Sequence, residues 1–252
     1  MTGRLARTLS SFVAVVATAA CTSYYEIPIE TPIRPKLDVS AFQRVLVAGF
    51  IAGGTEDVDG NLETTRLLRS QLRTKSEMRV IDTDVLPLME VAADDREKRD
   101  TNEDATPAPI KEDSDLEPYE HIFADVDYWK RIGEEYQEPL IVTGTVMFAP
   151  QQRSGIVQRD QEVYDSFGRR RVVPVRTYME RKGFVLKPRF IFIDGRTGTV
   201  LHSENFREEV LYNANQTSPA LSSYFELMDR LIPSFLSTLS SQKIKGTRVL
   251  LD

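Results

Sequence analysis

Side chains that could carry catalytic or metal chemistry are few in this chain of 252 residues, which has one cysteine and two histidines. Cys21 alone can form neither an internal disulfide nor a cysteine-based zinc site. His121 and His202 lie 81 residues apart, and no nucleophile-elbow motif accompanies either of them. We expect both histidines to have surface or structural roles and the protein to be no enzyme. A secreted hydrolase that uses one of them is the remaining catalytic alternative.

Four closely spaced residues carry side-chain oxygen atoms, the ligand type that Ca²⁺ prefers: Asp57, Asp59, Asn61 and Glu63. Their order does not match a calcium loop, which needs a glycine at position six and a glutamate at position twelve. The segment is better interpreted as a polar turn with an Asp or Asn cap for the next helix. We therefore expect no metal and no cofactor.

Arg169, Arg170 and Arg171 form the densest cluster of positive charge. Guanidinium groups bind phosphates and carboxylates well, so the cluster is a candidate contact for lipid headgroups, glycan-linked phosphates or an acidic protein surface. The alternative is a solvated ribbon tip whose charge discourages edge-to-edge pairing.

Charge is unevenly distributed along the chain. The net charge of −6 argues against a general nucleic-acid binder. Residues 90–120 carry 12 acidic and four basic side chains, whereas residues 153–189 carry ten basic and four acidic ones. The acidic stretch has few large apolar residues, which predicts a disordered insertion at about 92–117. It could be a plain spacer, a contact for a basic partner, or a contact for the chain's own basic ribbon.

Hydrophobic periodicity predicts the elements that must position these residues. Apolar runs predict buried strands at 44–51 and 139–148, and a further strand is predicted at 78–82. Helical spacing predicts helices at 61–75, 118–137 and 221–239, with a short turn at 85–91 and a kink or new segment at Pro233. Alternation predicts a basic β-ribbon at 156–164 and 171–178 and a hairpin at 184–194 and 199–206.

This order predicts an α/β (α+β) fold with one domain, in which helices pack on a mixed β-sheet and a β-ribbon protrudes. We place the domain at 41–245. Residues 21–40, with prolines at 28, 32 and 35, are predicted to form an extended tether. Residues 246–252 are predicted to be a tail or an edge strand.

Residues 1–20 have the layout of a secretory signal peptide. Arg4 and Arg7 precede a mostly apolar run from Leu9 to Ala20 that ends in small residues. The run is too short to span a bilayer, which needs roughly 20 residues.

Cys21 directly follows two alanines, and this arrangement resembles the lipobox of bacterial lipoproteins. The resemblance implies cleavage before Cys21, a diacylglyceryl group on its sulfur, and an acyl chain such as palmitate on the new amino terminus. Thr22, in place of an aspartate, favours the outer membrane by similarity to known sorting signals. The alternative is a plain secreted protein cut after Ala19.

The order of the elements resembles a wider fold group. It comprises the curli-secretion lipoprotein family, the lipoprotein activators of peptidoglycan synthases and the amino-terminal domain of the Tol-system propeller protein. The matching pieces are Cys21, RVLVAGF at 44–50, the helix at 61–75, MRVID at 78–82, PLIVTGTV at 139–146 and FIFIDGRTGTVLHSE at 190–204.

The resemblance implies a non-catalytic, lipid-anchored accessory or assembly factor that faces the periplasm and docks on a protein partner. It leaves open a ring-forming component of a curli-type outer-membrane secretion system, and so leaves oligomerisation open. The charged residues of the 156–178 ribbon depart from a lipid-facing hairpin, which should alternate apolar and polar residues.

The anchor can be tested by measuring the intact mass of the membrane-extracted protein beside Cys21→Ser. We expect the mass of residues 21–252 plus lipid, and we expect the variant to lose both the added mass and membrane fractionation, because the thiol carries the lipid. An unlipidated chain that begins near Ala20 would contradict the prediction.

Overall fold

The computed structural model describes residues 24–99, 110–213, 215–216 and 218–251. Cys21 and the predicted signal segment lie outside these residues, as does 100–109. The chain divides into two units. One is Lys36–Ser240, and the other combines Met1–Pro35 with Ser241–Asp252.

Eight strands and four α-helices, with one 3-10 helix, make up the described residues. In chain order they are β1 Tyr24–Ile33, β2 Arg44–Gly54, α1 Gly60–Lys75, β3 Arg79–Val80, α2 Leu88–Arg99, the 3-10 helix Asp113–Ala124, α3 Val126–Glu135, β4 Leu140–Tyr164, β5 Arg170–Asp194, β6 Val200–Asn205, β7 Glu208–Asn213, α4 Ala220–Leu239 and β8 Gln242–Leu251.

The main sheet has six strands and is mixed. Its order is β3-β2-β4-β5-β6, and β7 also pairs with β5. Strand β2 runs parallel to β3 and β4, and the other pairs are antiparallel. The predicted fold class, helices on a mixed sheet with a long ribbon, is confirmed.

Two hydrophobic cores lie on the two faces of the sheet, because successive side chains of a strand point to opposite faces. Val45 and Val47 of β2 belong to the core covered by α1 and α4. Leu46 and Ala48 belong to the core covered by α2, the 3-10 helix and α3. The uninterrupted apolar run of β2 is thus explained by burial on both faces.

Helix α1 begins as predicted. The Asp59 side chain accepts a hydrogen bond from the Leu62 amide at 2.9 Å, so the polar turn does provide the cap. The predicted helix at 118–137 is instead divided. Asp125 has a non-helical backbone and caps α3 by accepting from the Tyr128 amide at 2.9 Å, which separates α3 from the 3-10 helix before it. At the other end of the chain, α4 is one helix that includes Pro233.

The predicted disordered insertion at 92–117 differs from the structure. Residues 92–99 belong to α2, and Ala92 is buried. Ile110 and Leu116 are also buried, and the Gly54 amide donates to the Ile110 carbonyl at 2.8 Å. These few apolar residues anchor both ends of a segment whose average composition is polar. The middle of the insertion, 100–109, lies outside the described residues.

The predicted tether at 21–40 also differs from the structure. Tyr24–Ile33 is a strand that pairs antiparallel with Gln242–Leu251. Residues 246–251 of the predicted tail or edge strand therefore belong to a strand that pairs with β1. Pro28 and Pro32 are an even number of residues apart, so their backbone nitrogens point to the same edge of the strand. Both prolines can therefore lie where the nitrogen faces away from the partner strand and no hydrogen bond is lost. Two-stranded pairing therefore tolerates the prolines that suggested a tether.

Strand β3 has only two residues, which leaves most of one edge of β2 without a neighbouring strand. Other groups take the place of that strand. Arg69 of α1, which is buried, donates to the Val47 carbonyl at 2.8 Å and to the Thr83 carbonyl at 2.5 Å. The Leu86 amide donates to the Ala48 carbonyl at 2.8 Å.

Farther along β2, the Phe50 amide donates to the Asn61 side chain at 2.7 Å. Buried backbone groups must be paired, so Arg69, Leu86 and Asn61 together complete the edge of β2. Burial lowers the pKa of Arg69 below its usual range.

We expect Arg69→Met to lower the free energy of unfolding by about 2–3 kcal/mol, because the buried Val47 carbonyl and the part-buried Thr83 carbonyl would lose charged donors. The matched control is Arg66→Met on the same helix. Arg66 is exposed and pairs only with Glu63, so its loss should cost at most about 1 kcal/mol. Urea unfolding of the two variants measures both values. Equal losses would contradict a special role for Arg69.

Candidate interaction surface

A long two-stranded ribbon extends beyond the sheet. Residues 140–148 of β4 are buried, and β7 pairs with β5 at 181–186. Beyond these contacts, residues 154–164 pair only with residues 170–180. We call these two segments the free ribbon. Their eleven pairs extend for about 36 Å at 3.3 Å per residue.

Large apolar side chains are exposed on both faces of the free ribbon. Ile156 and Tyr178 are opposite each other and are 73% and 66% exposed. Val163 and Val173 lie on the other face and are also exposed. At the tip, Phe167 is 81% exposed. The sequence predicted the ribbon but not this exposure, because alternation alone does not show whether a face is covered.

The two faces differ in charge. The face that contains Ile156 and Tyr178 also carries Asp160 and Glu162. The other face has no carboxylate, and its charged residues are Arg159 and Arg171. One face is therefore electrically mixed and the other is basic.

The turn at the tip is held by Asp165. Its side chain accepts hydrogen bonds from the Phe167 and Arg169 amides, each at 2.9 Å. The Gly168 amide donates to the Asp165 carbonyl at 2.9 Å, and Gly168 has φ of 73°, a conformation that favours glycine. The hydrogen bond from the Arg169 amide, supported by the Phe167 amide and the Arg169 side chain, holds the pKa of Asp165 below its usual range.

The three arginines predicted as an anion contact lie at this tip, and each has a carboxylate nearby. Arg169 Nε donates to Asp165 at 3.0 Å, and its guanidinium lies over the Phe167 ring at 5.4 Å. Arg170 pairs with Glu162. Arg171 Nε is 3.9 Å from the Asp165 carboxylate. The tip is thus less positive than its sequence suggests.

The acidic and basic stretches of the sequence meet at the base of the ribbon. Lys187 of β5 donates to Asp113 at 2.5 Å, and Arg189 donates to Glu120 at 2.8 Å. Both pairs line a shallow depression on the surface. These contacts join the carboxyl-terminal end of the acidic stretch to β5 outside the 156–178 ribbon, and the considered contact with the ribbon itself stays a prediction.

Neither histidine forms a Ser–His–Asp arrangement within the described residues. His121 Nδ1 donates to the Pro118 carbonyl at 2.9 Å. His202 Nε2 lies 3.5 Å from Glu204, whose carboxylate also accepts from Thr238 at 3.1 Å. Each ring thus contacts a structural group, and neither has a serine hydroxyl within hydrogen-bond distance in that part of the chain.

Within the described ranges, no group of three His, Cys, Asp or Glu residues is placed to hold a metal ion. Asp59, considered above as an oxygen ligand, instead caps α1, and Asn61 accepts from β2. No helix of the described residues is long and apolar enough to cross a membrane.

No protein-family model and no curated protein matches the chain. Among solved structures, the lipoprotein GNA1162 from Neisseria meningitidis is similar with a TM-score of 0.34 and 11% identity, over 77% of this chain and 97% of that one. A neuraminyllactose-binding hemagglutinin homolog from Helicobacter pylori is similar with a TM-score of 0.33 and 12% identity, over 84% and 90%. Likenesses at this level establish neither a family nor a function.

The turn should depend on pH through Asp165. Because its folded pKa is lowered, its contribution is complete above the unfolded value of about 3.9 and is lost as the pH falls through the folded pKa. We expect the Phe167 and Arg169 amides to keep constant NMR shifts down to about pH 4 and to shift below it. Asp165→Asn, which cannot titrate, should show no such change. Amides that shift equally in both proteins would contradict the prediction.

Proposed function

We propose that this protein is a non-catalytic accessory or assembly factor of the bacterial cell envelope, anchored by a lipid on Cys21, that docks on a protein partner through the free ribbon. The observation that supports it best is the free ribbon itself, whose large apolar side chains are exposed on both faces. The anchor would hold the domain at the outer membrane on its periplasmic side.

The lipid on Cys21 would confine the domain to a membrane surface. Each buried CH₂ group contributes about 0.8 kcal/mol, so three acyl chains would hold the protein almost permanently. Confinement raises the effective concentration of the domain toward partners in the same membrane. A docking surface on such a domain needs little intrinsic affinity.

The free ribbon has the properties of a docking element. A two-stranded ribbon is only marginally stable in water, and soluble monomers rarely expose contiguous apolar surface. Val163 and Val173 are 43% and 41% exposed on the face that carries Arg171, and arginine is among the side chains that most often dominate binding energy at protein interfaces. A partner that covers these groups would stabilise both the ribbon and the complex.

Charge favours a partner with an acidic surface. Arg159 and Arg171 lie on the face that lacks carboxylates. No carboxylate pairs with Arg159 in the described part of the chain. Complementary charge would steer association and set orientation. The apolar residues between the arginines would then supply most of the buried area.

Site-specific photo-crosslinking in intact cells tests the proposal. A photoreactive residue at Val163 or at Val173 should give one discrete adduct larger than the protein, because both exposed positions lie on the basic face that would meet the partner. The matched control is Leu221 on α4, which is 44% exposed but lies away from the ribbon, and it should give none. An Arg159→Ala change on the same face should reduce the adduct at Val173 by about tenfold.

Equal adducts at all three positions would contradict docking through the ribbon. Adducts that contain only copies of this chain, together with a large and uniform mass after detergent extraction, would favour the ring-forming alternative.

A further inference from the structure

The first and last described strands form a second ribbon, here called the terminal ribbon, from Tyr24–Ile33 and Gln242–Leu251. Its register assigns residue types to two unlike faces. One face carries Ile27, Ile29 and Ile33 of the first strand. The other contains the four charged residues Glu26, Glu30, Lys243 and Lys245. The terminal ribbon is therefore amphipathic.

The apolar face is open to solvent within the described residues. Ile27, Ile29 and Ile33 are 43%, 41% and 45% exposed, although isoleucine is among the residues most often buried. On the other face, Glu30 pairs with Lys243 at 3.1 Å, so charges there are satisfied by their neighbours. An isolated two-stranded ribbon is marginally stable, so this apolar face needs a cover.

We infer that the cover is the lipid surface itself, on which the terminal ribbon lies with its apolar face toward the acyl chains. This inference rests on the proposed anchoring through Cys21. Cys21 is only three residues before Tyr24, a span of at most about 10 Å. The lipid would therefore hold the start of the ribbon at the headgroups.

Residue types along the terminal ribbon fit this placement. Tyr24 and Tyr25 stand at the end nearest Cys21, and tyrosine is enriched at membrane interfaces. The only charged residue on the apolar face is Arg248, opposite Ile27, and it suits anionic headgroups. No carboxylate lies on that face to oppose adsorption.

The test uses the chain that cleavage would leave, residues 21–252, with Cys21→Ser so that no lipid contributes. Flotation with vesicles of phosphatidylethanolamine and phosphatidylglycerol measures binding. We expect the protein to float, and Ile29→Glu to weaken the partitioning by about tenfold, because it removes apolar contact and adds a charge. Thr247→Glu adds the same charge on the opposite face and should stay within about twofold of the parent.

Three results would overturn the inference. The first is a failure of the flotation test, in which either the parent chain does not float or the two glutamate variants float equally. The second is a melting temperature that falls in Ile29→Glu but not in Thr247→Glu without vesicles, since the chain itself would then cover the face. The third is a dimer that Ile29→Glu dissociates. Because the thiol is absent throughout, each result is independent of the intact-mass test of the anchor.

Discussion

The buried guanidinium of Arg69, bound to the carbonyl groups of Val47 and Thr83, holds together the centre of this fold. Strand β2 is covered on both faces and has a full partner in β4, but β3 accompanies it for only two residues. An unpaired buried edge would be costly, and Arg69 and Asn61 of α1 remove that cost. The same contacts attach α1 to the edge of β2.

That rigid centre supports the free ribbon. Strands β4 and β5 each have 25 residues, and their inner halves are buried in the two cores. At Gly144, φ is 142° and an added Cβ would lie 1.8 Å from the Arg189 carbonyl oxygen, so the strands approach more closely there than any other residue allows. The ribbon is thus a continuation of a packed sheet.

The net charge of each sequence segment does not show which of its charged side chains form ion pairs. The arginines at the ribbon tip are partly neutralised by Asp165 and Glu162, whereas the base of the ribbon pairs with the acidic segment. The basic face of the ribbon carries Arg159, which pairs with no carboxylate of the described residues, and Arg171, whose Nε is 3.9 Å from Asp165. An acidic partner would meet that face, and the terminal ribbon would be separately suited to lipid.

The sequence alone determined the mixed α/β class, the burial of β2, the presence of an Asp or Asn cap before α1 and the existence of a basic ribbon, because each follows from local periodicity or from a single side chain. It also supplies the anchor prediction, which depends only on residues around Cys21. Tertiary structure decided the rest. The pairing of β1 with β8 joins residues that are distant in sequence. The role of Arg69 depends on β3 being too short to cover the edge of β2. The local pattern of apolar and polar residues cannot predict such contacts, because it indicates which side chains are buried but not which elements cover them.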